Sequence, residues 1–257
     1  MNTSSDSSAA TSGEANSHSP SAFPELPERF DVLPEIPGGW SAQEFHVGSQ
    51  TLRLMRPTNP DLFLDDADVQ KENARNDYMP YWAFLWPSAV KMAAAVQNLE
   101  WEAGTEVLEL GAGIGLVGLA ALARGYRVVF SDYDATALHL CQYNAHLNGL
   151  GVPETIKLDW RDVPNRTFPV LIGCEITYDA TLHEPLLILI GKMLAPGGVC
   201  WLGDPGRFQG PFFYEAAIRH GFRVRIQDEF GNEHSAPLSN QFQILKLDRS
   251  SPSVVPR

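Results

Sequence analysis

The sequence has few cysteines, fewer basic than acidic residues, and no long uninterrupted apolar run. Its three cysteines, Cys141, Cys174 and Cys200, are too few and too scattered for a disulfide framework or a C-x-x-C metal site, so we expect buried thiols. No apolar run reaches the roughly 20 residues that cross a bilayer. The N-terminus lacks the basic segment and apolar core of a secretion signal. These absences predict a soluble, intracellular protein of the cytoplasm.

Basic residues are outnumbered, with 19 Lys and Arg against 31 Asp and Glu and a formal net charge of −12. A protein that binds nucleic-acid phosphates carries a basic footprint, so a nucleic-acid partner is not expected. The seven histidines form no H-x-x-x-H or H-x-E pattern, and no metal is expected. We expect a monomer with neither a nucleic-acid nor a membrane partner.

The chain is long enough, at 257 residues, for one large domain with extensions. Residues 1–25 are rich in Ser and poor in large apolar side chains, which predicts a disordered tail. Residues 26–80 are an N-terminal extension, in which two alternating runs separated by Gly-Ser predict a β-hairpin near 42–57. Residues 81–249 make up the main domain, and 250–257 are a loose C-terminal tail.

From about residue 104 the chain alternates between strand-like apolar runs and amphipathic runs of helix length. This alternation predicts an α/β fold, a Rossmann-like and mostly parallel sheet of seven strands with helices on both faces. The last two strands are joined by an irregular segment and are expected to pair antiparallel at the sheet edge. The predicted strands are EVLEL, RVVFSD, TIKL, PVLIGCE, GGVCWLGD, FRVRIQ and FQILKL. The predicted helices lie near 115–124, 135–148, 181–193 and 210–220.

The stretch EVLELGAGIGLVG, residues 106–118, fits two glycine-rich cofactor motifs. The dinucleotide motif G-x-G-x-x-G would use Gly113, Gly115 and Gly118, whereas the S-adenosylmethionine motif E-x-G-x-G-x-G would use Glu109, Gly111, Gly113 and Gly115. Glu109 discriminates between them, because a carboxylate repels a pyrophosphate but attracts the ammonium and sulfonium of S-adenosylmethionine. The register therefore favours S-adenosylmethionine as the cofactor, and Gly118 then serves close packing of the helix on the sheet.

Polar residues follow the next two strands at the edge where a cofactor would lie. Asp132 ends RVVFSD and is placed to accept hydrogen bonds from ribose hydroxyls, while Asp134 is the better N-cap of the following helix. In KLDWRD, Asp159 is expected to accept from the adenine amino group, and Trp160 to cover a face of the base. A surface turn is the alternative interpretation of Asp159 and Trp160.

Six segments carry a resemblance to a known family: YWAFLWPSAVKMA, VLELGAGIGLVGLAA, VVFSDYD, LDW, CEITYD and GDPGR. In this order they resemble the seven-strand lysine methyltransferases of family 16, also described as nicotinamide-methyltransferase-like. Within this group the likeness is strongest to the enzymes that methylate the β-subunit of electron-transfer flavoprotein. The resemblance covers about residues 42–247, and its most discriminating parts are PYWAFLWP and GDPGR.

The resemblance implies a role for each matching residue. Trp86 would contact the cofactor, Asp132 would bind its ribose, and Trp160 would lie by its adenine. The methionine end of the cofactor would be lined by Glu109, Gly111, Gly113 and Gly115. The family's D-x-x-Y motif is present as Glu175-Ile-Thr-Tyr178, with glutamate in place of the usual aspartate, so the carboxylate reaches one methylene further.

On the acceptor side, Glu175 is expected to orient an amine through a charge-assisted hydrogen bond, and Tyr178 to direct its hydroxyl or ring face at it. Asp204 and Arg207 of GDPGR are expected to face the substrate entrance, where Arg207 would hold an acidic group near the target lysine. An aromatic channel for an aliphatic side chain would be walled by Trp82, Phe84 and Trp86. For Asp204 and Arg207 the alternative is a tight turn. For the three aromatic residues it is core packing.

Together the motifs predict an S-adenosylmethionine-dependent N-methyltransferase whose partner is a protein with an exposed lysine. A small-molecule N-methyltransferase on the same fold is the first alternative, because a closed site can accept a free amine. The others are an NAD-linked oxidoreductase, which the register of Glu109 opposes, and a non-catalytic module that keeps the cofactor pocket.

Overall fold

The computed structural model describes residues 21–249, and its regular elements follow the alternation of the sequence. The strands are β1 (Trp40–Val47), β2 (Gln50–Pro57), β3 (Glu106–Leu110), β4 (Arg127–Asp132), β5 (Glu154–Lys157), β6 (Phe168–Cys174), β7 (Leu194–Asp204), β8 (Arg223–Asp228), β9 (Glu233–His234) and β10 (Gln243–Asp248). The helices are α1 (Ala67–Asn76), α2 (Pro87–Gln97), α3 (Leu116–Ala123), α4 (Ala135–Leu147), α5 (His183–Met193) and α6 (Gly210–Arg219). The seven predicted strands and four predicted helices are therefore present.

The central sheet has the strand order β5-β4-β3-β6-β7-β10-β8-β9. Strands β3 to β7 pair in parallel, whereas β10 pairs antiparallel with both β7 and β8. This arrangement confirms the predicted α/β, Rossmann-like class. The last two predicted strands do pair antiparallel, but β10 lies between β7 and β8, and the two-residue β9 at the edge adds an eighth strand.

The strands are apolar on both faces because helices cover both faces of the sheet. Val107 of β3 packs in a cluster that includes Met92 of α2 and Leu119 of α3. The next residue, Leu108, belongs to the cluster on the other face, which includes Phe213 of α6. Between residues 21 and 249, no helix is long and apolar enough to cross a bilayer.

The predicted hairpin is present as β1 and β2, and it shares the core of the main domain. The buried side chain of Asn144 in α4 accepts from the Met55 amide at 2.7 Å and donates to the Met55 carbonyl at 3.0 Å. Asn148 binds Arg53 of β2 in the same way, at 2.9 and 2.7 Å. The free edge of β2 is thereby paired with two side chains instead of a third strand.

The predicted tails fall largely outside the described residues, namely 1–20 and 250–257. Residues 21–25, which the sequence assigned to the N-terminal tail, are packed on the body. Ala22 is buried, and its amide donates to Asp66 at 3.4 Å. Residues 21–25 therefore pack with the extension, whereas the sequence placed them in the tail.

Candidate active site

The glycine loop connects β3 to α3 at the carboxyl edge of the sheet. Gly111, Gly113 and Gly115 all have positive φ, at 62°, 54° and 85°, a region that side chains with a Cβ rarely adopt. A Cβ on Gly115 would also press on the Cys141 thiol at 2.9 Å. Gly118 has the packing role predicted for it, because a Cβ there would overlap the Glu109 carboxylate and the Phe130 ring.

Glu109 is the penultimate residue of β3, just before this loop. Its carboxylate is buried and accepts one hydrogen bond, from the Gly118 amide at 3.0 Å. Burial raises the pKa of Glu109 to about 8, because desolvation penalises the charged form more than the Gly118 N–H stabilises it. With this pKa, Glu109 is mostly protonated near neutral pH.

Asp132, at the end of β4, fixes the shape of the loop. One carboxylate oxygen accepts from the Gly113 amide and the other from the Asp134 amide, both at 2.9 Å. Burial raises the pKa of Asp132 to about 6, partly offset by these amide donors. Asp134 caps α4 by accepting from the Thr136 amide, as the sequence predicted. Each oxygen of Asp132 keeps a lone pair for a further donor such as a hydroxyl.

Asp159 and Trp160 follow β5 and border the same cleft. Asp159 forms a bidentate ion pair with Arg161 at 2.8 Å on each oxygen, and this hydrogen bonding lowers the pKa of Asp159. Trp160 packs beside the glycine loop, with its ring 3.8 Å from the position of a Cβ on Gly111. Both residues therefore border the cleft, and Trp160 lies beside the glycine loop.

Glu175 lies across the cleft, after β6, and has an unusual backbone and two strong donors. Its φ is 56°, a left-handed conformation that costs a residue with a side chain free energy and is common at functional sites. One oxygen accepts from the Ser88 amide at the start of α2, at 2.9 Å. The other accepts from the Arg207 guanidinium at 2.5 Å. The carboxylate is thus held rigidly, although it is almost inaccessible to water.

Aromatic rings line the acceptor side of the cleft in a continuous row, the aromatic wall, formed by Tyr178, Tyr81, Trp86 and Phe84. Their successive centroid distances are 5.4, 6.1 and 5.9 Å. The Arg207 guanidinium lies 5.5 Å from the centre of the Trp86 ring, a cation–π contact. Burial raises the pKa of Tyr178 to about 12, so its hydroxyl stays protonated at neutral pH.

The two tryptophans differ in burial and in their neighbours. Trp82, expected in the substrate channel, is 6% exposed, and its ring packs on Phe63 at 5.4 Å in the core. Its main chain faces the glycine loop, since its carbonyl lies 3.5 Å from the position of a Cβ on Gly113. Trp86, expected both to contact the cofactor and to wall the aromatic channel, stands beside Arg207 in the aromatic wall. Tyr81 takes the place in the wall that was predicted for Trp82.

The predicted position of Asp204 is wrong, because this residue does not face the substrate entrance. It is completely buried and accepts from the Thr177 hydroxyl at 2.7 Å, the Gly206 amide at 2.7 Å and the Gln243 amide group at 3.2 Å. These bonds tie GDPGR to the Glu175-Ile-Thr-Tyr178 motif and to β10. Arg207 contacts the cleft residue Glu175 rather than a free acidic group.

One cleft of about 790 Å³ joins the glycine loop to the aromatic wall. Its lining includes seven acidic side chains and one basic side chain, Arg161. The acidic ones are Asp77, Glu109, Asp132, Asp134, Asp159, Glu175 and Asp179. Such a cleft attracts cations and is unsuited to a pyrophosphate. Within residues 21–249, no group of three or more His, Cys, Asp or Glu side chains converges as a metal site.

Residues 81–204 match the family described as lysine methyltransferase. This segment, a little under half of the chain, is similar to the lysine methyltransferases. The match begins at the aromatic segment and ends at Asp204, and it confirms the predicted family. It also confirms the predicted cofactor class, because the family consists of S-adenosylmethionine-dependent methyltransferases. The NAD-linked alternative has no support in this methyltransferase domain.

Curated relatives of the domain act on different protein side chains. The chain is 30% identical over 133 residues to the electron transfer flavoprotein beta subunit lysine methyltransferase of Danio rerio, covering 51% of this chain and 52% of that protein. It is 31% identical over 114 residues to the histidine protein methyltransferase 1 homolog of Dictyostelium discoideum, covering 42% and 37%. It is 25% identical over 121 residues to the histone-arginine methyltransferase METTL23 of Mus musculus, covering 44% and 48%. The chain thus spans about half the length, or less, of these relatives.

Solved structures share the fold of this methyltransferase domain. The ribosomal protein L11 methylase of Lactobacillus delbrueckii subsp. bulgaricus superposes with a TM-score of 0.54 at 16% identity, covering 65% of this chain and 81% of that one. A putative RNA methyltransferase of Pyrococcus horikoshii gives a TM-score of 0.52 at 16% identity, covering 72% and 96%. At these identities the likeness establishes the architecture alone.

Sequence reasoning missed two contributors to the acceptor side, Ser88 and Tyr81. Ser88 acts through its backbone amide, which has no residue-type signature, although Pro87 marks the start of α2 and hence a free amide there. Tyr81 lies one position before the tryptophan that was selected. A short 3-10 turn over Tyr81–Ala83 directs the Tyr81 ring outward and the Trp82 ring into the core.

Proposed function

We propose that this chain is an S-adenosylmethionine-dependent methyltransferase that methylates lysine side chains of a protein. One observation carries the proposal: a single cleft with seven acidic and one basic side chain runs from the glycine loop to the aromatic wall. Two cations would bind in this cleft, the sulfonium of the methyl donor and the alkylammonium of the lysine, and the ammonium must lose its proton to water before its nitrogen can accept the methyl group. An acidic cleft offsets the repulsion between them and holds both at once.

S-adenosylmethionine, when bound, supplies an activated methyl group on a positively charged sulfur. The methionine end would be held at Glu109, Gly111, Gly113 and Gly115, the ribose at Asp132, and the adenine at Asp159 and Trp160. The raised pKa values of Glu109 and Asp132 support this assignment, because they indicate buried carboxyl groups that a cation or a hydroxyl donor would relieve. Trp82 joins this group through its main chain at Gly113.

Glu175 and Tyr178 are the catalytic residues of the proposal. Each oxygen of Glu175 has one donor and keeps one lone pair, so the carboxylate can accept a third hydrogen bond from the target nitrogen. The protonated hydroxyl of Tyr178 supplies a second polar contact, and the aromatic wall surrounds the aliphatic part of a lysine. Arg207 is a positioning residue here, because it acts on the substrate through Glu175.

A protein lysine is favoured over other acceptors by the nature of the wall and by the relatives. Four aromatic rings suit a long aliphatic chain that ends in a cation. The relative in Danio rerio is named for the electron transfer flavoprotein beta subunit, which makes this subunit the first protein to test. A small-molecule amine is the alternative acceptor.

The proposal is tested by incubating the purified full chain with S-adenosylmethionine labelled on its methyl group and a cell extract. We expect label in discrete protein bands and, after hydrolysis, in methylated lysine. Label only in small molecules would favour the alternative acceptor, and no label at all would contradict the activity.

Glu175→Gln should reduce label transfer by about 100-fold, because the neutral amide cannot bind a cationic amine through a charge-assisted bond. Tyr178→Phe, which keeps the ring, should reduce transfer by about 10-fold. Calorimetry with S-adenosylhomocysteine is the control, and both variants should bind it as the wild type does. Loss of this binding would show that the Glu175-Ile-Thr-Tyr178 motif belongs to the cofactor site instead.

A further inference from the structure

Phenylalanines are unusually exposed on this chain. Phe208 and Phe230 are each 82% exposed, more than any other large hydrophobic residue between 21 and 249, and Phe212 is 50% exposed. The Phe208 and Phe212 rings meet edge to face, with centroids 5.5 Å apart. Single exposed apolar residues are ordinary, but paired aromatic rings with their faces in water are typical of interaction surfaces.

All three phenylalanines lie at the carboxyl edge of the sheet, beside the proposed acceptor site. Phe208 directly follows Arg207, whose guanidinium contacts Glu175. Gln243 of β10 pairs with Asp204 at the end of β7 and with Asp228 at the end of β8, so these two strands end at the same edge of the sheet. Phe230 lies in the turn after β8 and therefore at this edge. We name Phe208, Phe212 and Phe230 the phenylalanine surface.

Buried polar contacts hold the segments that carry the phenylalanine surface. The Asp204 carboxylate accepts from the Gly206 amide at 2.7 Å and the Arg207 amide at 3.3 Å, which fixes the loop before Phe208. Asp228 accepts from the Phe230 amide at 2.9 Å and fixes the turn after β8. The exposure therefore belongs to anchored loops that present aromatic rings at low entropic cost.

The chain's own tails are poor occupants for this surface. Residues 1–20 contain one large apolar side chain, Met1. The C-terminal segment leaves the sheet after Asp248, which pairs with Val199 and Arg223 at the opposite edge. A free small-molecule amine would enter the cleft and would gain nothing from rings outside it. A protein acceptor, by contrast, must cover the rim of the cleft while its lysine is inside.

We infer that the phenylalanine surface docks the protein substrate of the proposed methyltransferase, through an apolar patch beside the target lysine. This inference rests on the proposed function. Continuity supports it: one loop carries both Arg207, which contacts Glu175, and Phe208, which faces solvent. The acceptor lysine and its apolar surroundings would then bind to adjacent parts of one edge, and specificity would depend on the patch as well as on the lysine.

The test compares the wild type with a Phe208→Ser/Phe212→Ser double variant in the labelling of a cell extract. The matched control is Ile218→Ser, which removes an apolar side chain that is 48% exposed in the last turn of α6, away from the carboxyl edge. The double variant should label the protein bands of the wild type at least about 10-fold more slowly, as expected for loss of an interface hot spot. Ile218→Ser should label them at the wild-type rate.

The same extract after trypsin digestion provides a second acceptor, free lysine-containing peptides without a folded patch. Wild type and double variant should label these peptides equally, and both should bind S-adenosylhomocysteine equally in calorimetry. If the double variant loses this binding, the same comparison of labelling is made with the single Phe208→Ser variant. A side chain that is 82% exposed contributes little to folding, so this variant should remain folded.

Each other outcome has a distinct meaning. Undiminished labelling of intact proteins by the variants would overturn the docking role while leaving the methyltransferase activity intact. If the wild type elutes as a dimer, and the variants elute as monomers and label proteins at the wild-type rate, the phenylalanine surface serves self-association and the docking role is wrong. Absence of label with the wild type would contradict the proposed function itself.

Discussion

Glu109 combines two properties that a cation site uses, namely complete burial and a single hydrogen-bond donor. Its pKa is raised from 4.5 to about 8. Between these values the unfolded chain binds fewer protons at this residue than the folded chain does. The free energy of unfolding of the ligand-free protein therefore receives a contribution from Glu109 that falls as pH rises from about 4.5 to about 8.

Binding of S-adenosylmethionine should release a proton at pH 7.0 to 7.5, because the sulfonium favours the ionised form of Glu109. Affinity should therefore rise with pH in this window, in which Asp132, with a pKa of about 6, is already ionised. Calorimetry in two buffers of different ionisation enthalpy measures the released proton. S-adenosylhomocysteine, whose sulfur is neutral, should release a smaller fraction.

Glu109→Gln is the matched variant for this prediction. Its side-chain carbonyl can still accept from the Gly118 amide, but it has no proton to release. The variant should bind S-adenosylmethionine more weakly, and the difference in proton release between the two ligands should disappear. Equal proton release by wild type and variant would assign the titration to another group.

At the residue scale, the sequence predicts which side chains lie in the cleft better than it predicts their hydrogen-bond partners. Glu109, Asp132 and Glu175 could be located because each follows a recognisable strand, and parallel strands end at one edge. The burial of Asp204 could not be predicted, since its acceptors are filled by Thr177 and by Gln243, which is 39 residues away in sequence. The pairing of Arg207 with Glu175 likewise depends on the fold of two separate loops.

Helix α3 packs closely on the sheet at Gly118, where there is no room for a side chain. A Cβ at this position would overlap the Glu109 carboxylate and the Phe130 ring, both held in the core. Gly118→Ala should therefore lower the free energy of unfolding by about 3 kcal/mol, the upper part of the range for overpacking, despite the better helix propensity of Ala. Urea unfolding followed by circular dichroism measures the change.

Gly191→Ala in α5 is the control for the helix-propensity effect. A Cβ there would meet the end of the flexible Arg249 side chain and lie 3.7 Å from the Phe222 ring. Arg249 can move aside, so this variant should be neutral or up to about 1 kcal/mol more stable. A Gly118→Ala protein as stable as the wild type would mean that α3 shifts away from the sheet without cost.

At the element scale, strongly apolar elements were predictable and polar ones were not. Helix α1, with the sequence ADVQKENARN, buries only Val69 and has no apolar stripe to detect. It depends instead on its ends, where the Asp66 side chain accepts from the Asp68 and Val69 amides. The short strand β9 has two residues and pairs with β8 only.

Across the whole molecule, the hairpin is joined to the cofactor loop through one buried side chain, that of Asn144. Besides its two bonds to Met55, its amide group donates to the Ile114 carbonyl in the glycine loop at 3.2 Å. Three parts of the chain, β2, α4 and the glycine loop, therefore meet at a single residue. The alternating sequence of the hairpin predicted its strands, but nothing local indicated that Asn144 of α4 and Asn148 at its C-cap would pair with the edge of β2.

Asn144→Ala should destabilise the whole protein by about 3 kcal/mol, because it leaves an amide and two carbonyls without their partner in a buried place. Asn148→Ala should cost about 1 kcal/mol, since its site is partly open to water that can replace the lost bonds. Urea unfolding of the Asn144 variant should remain a single transition with an unchanged slope and a lower midpoint, because hairpin and sheet share one core. Affinity for S-adenosylhomocysteine should also fall, since the glycine loop loses its link to α4. A separate early transition with unaltered affinity would instead mean that the hairpin is an independent unit and that the cofactor loop keeps its shape without it.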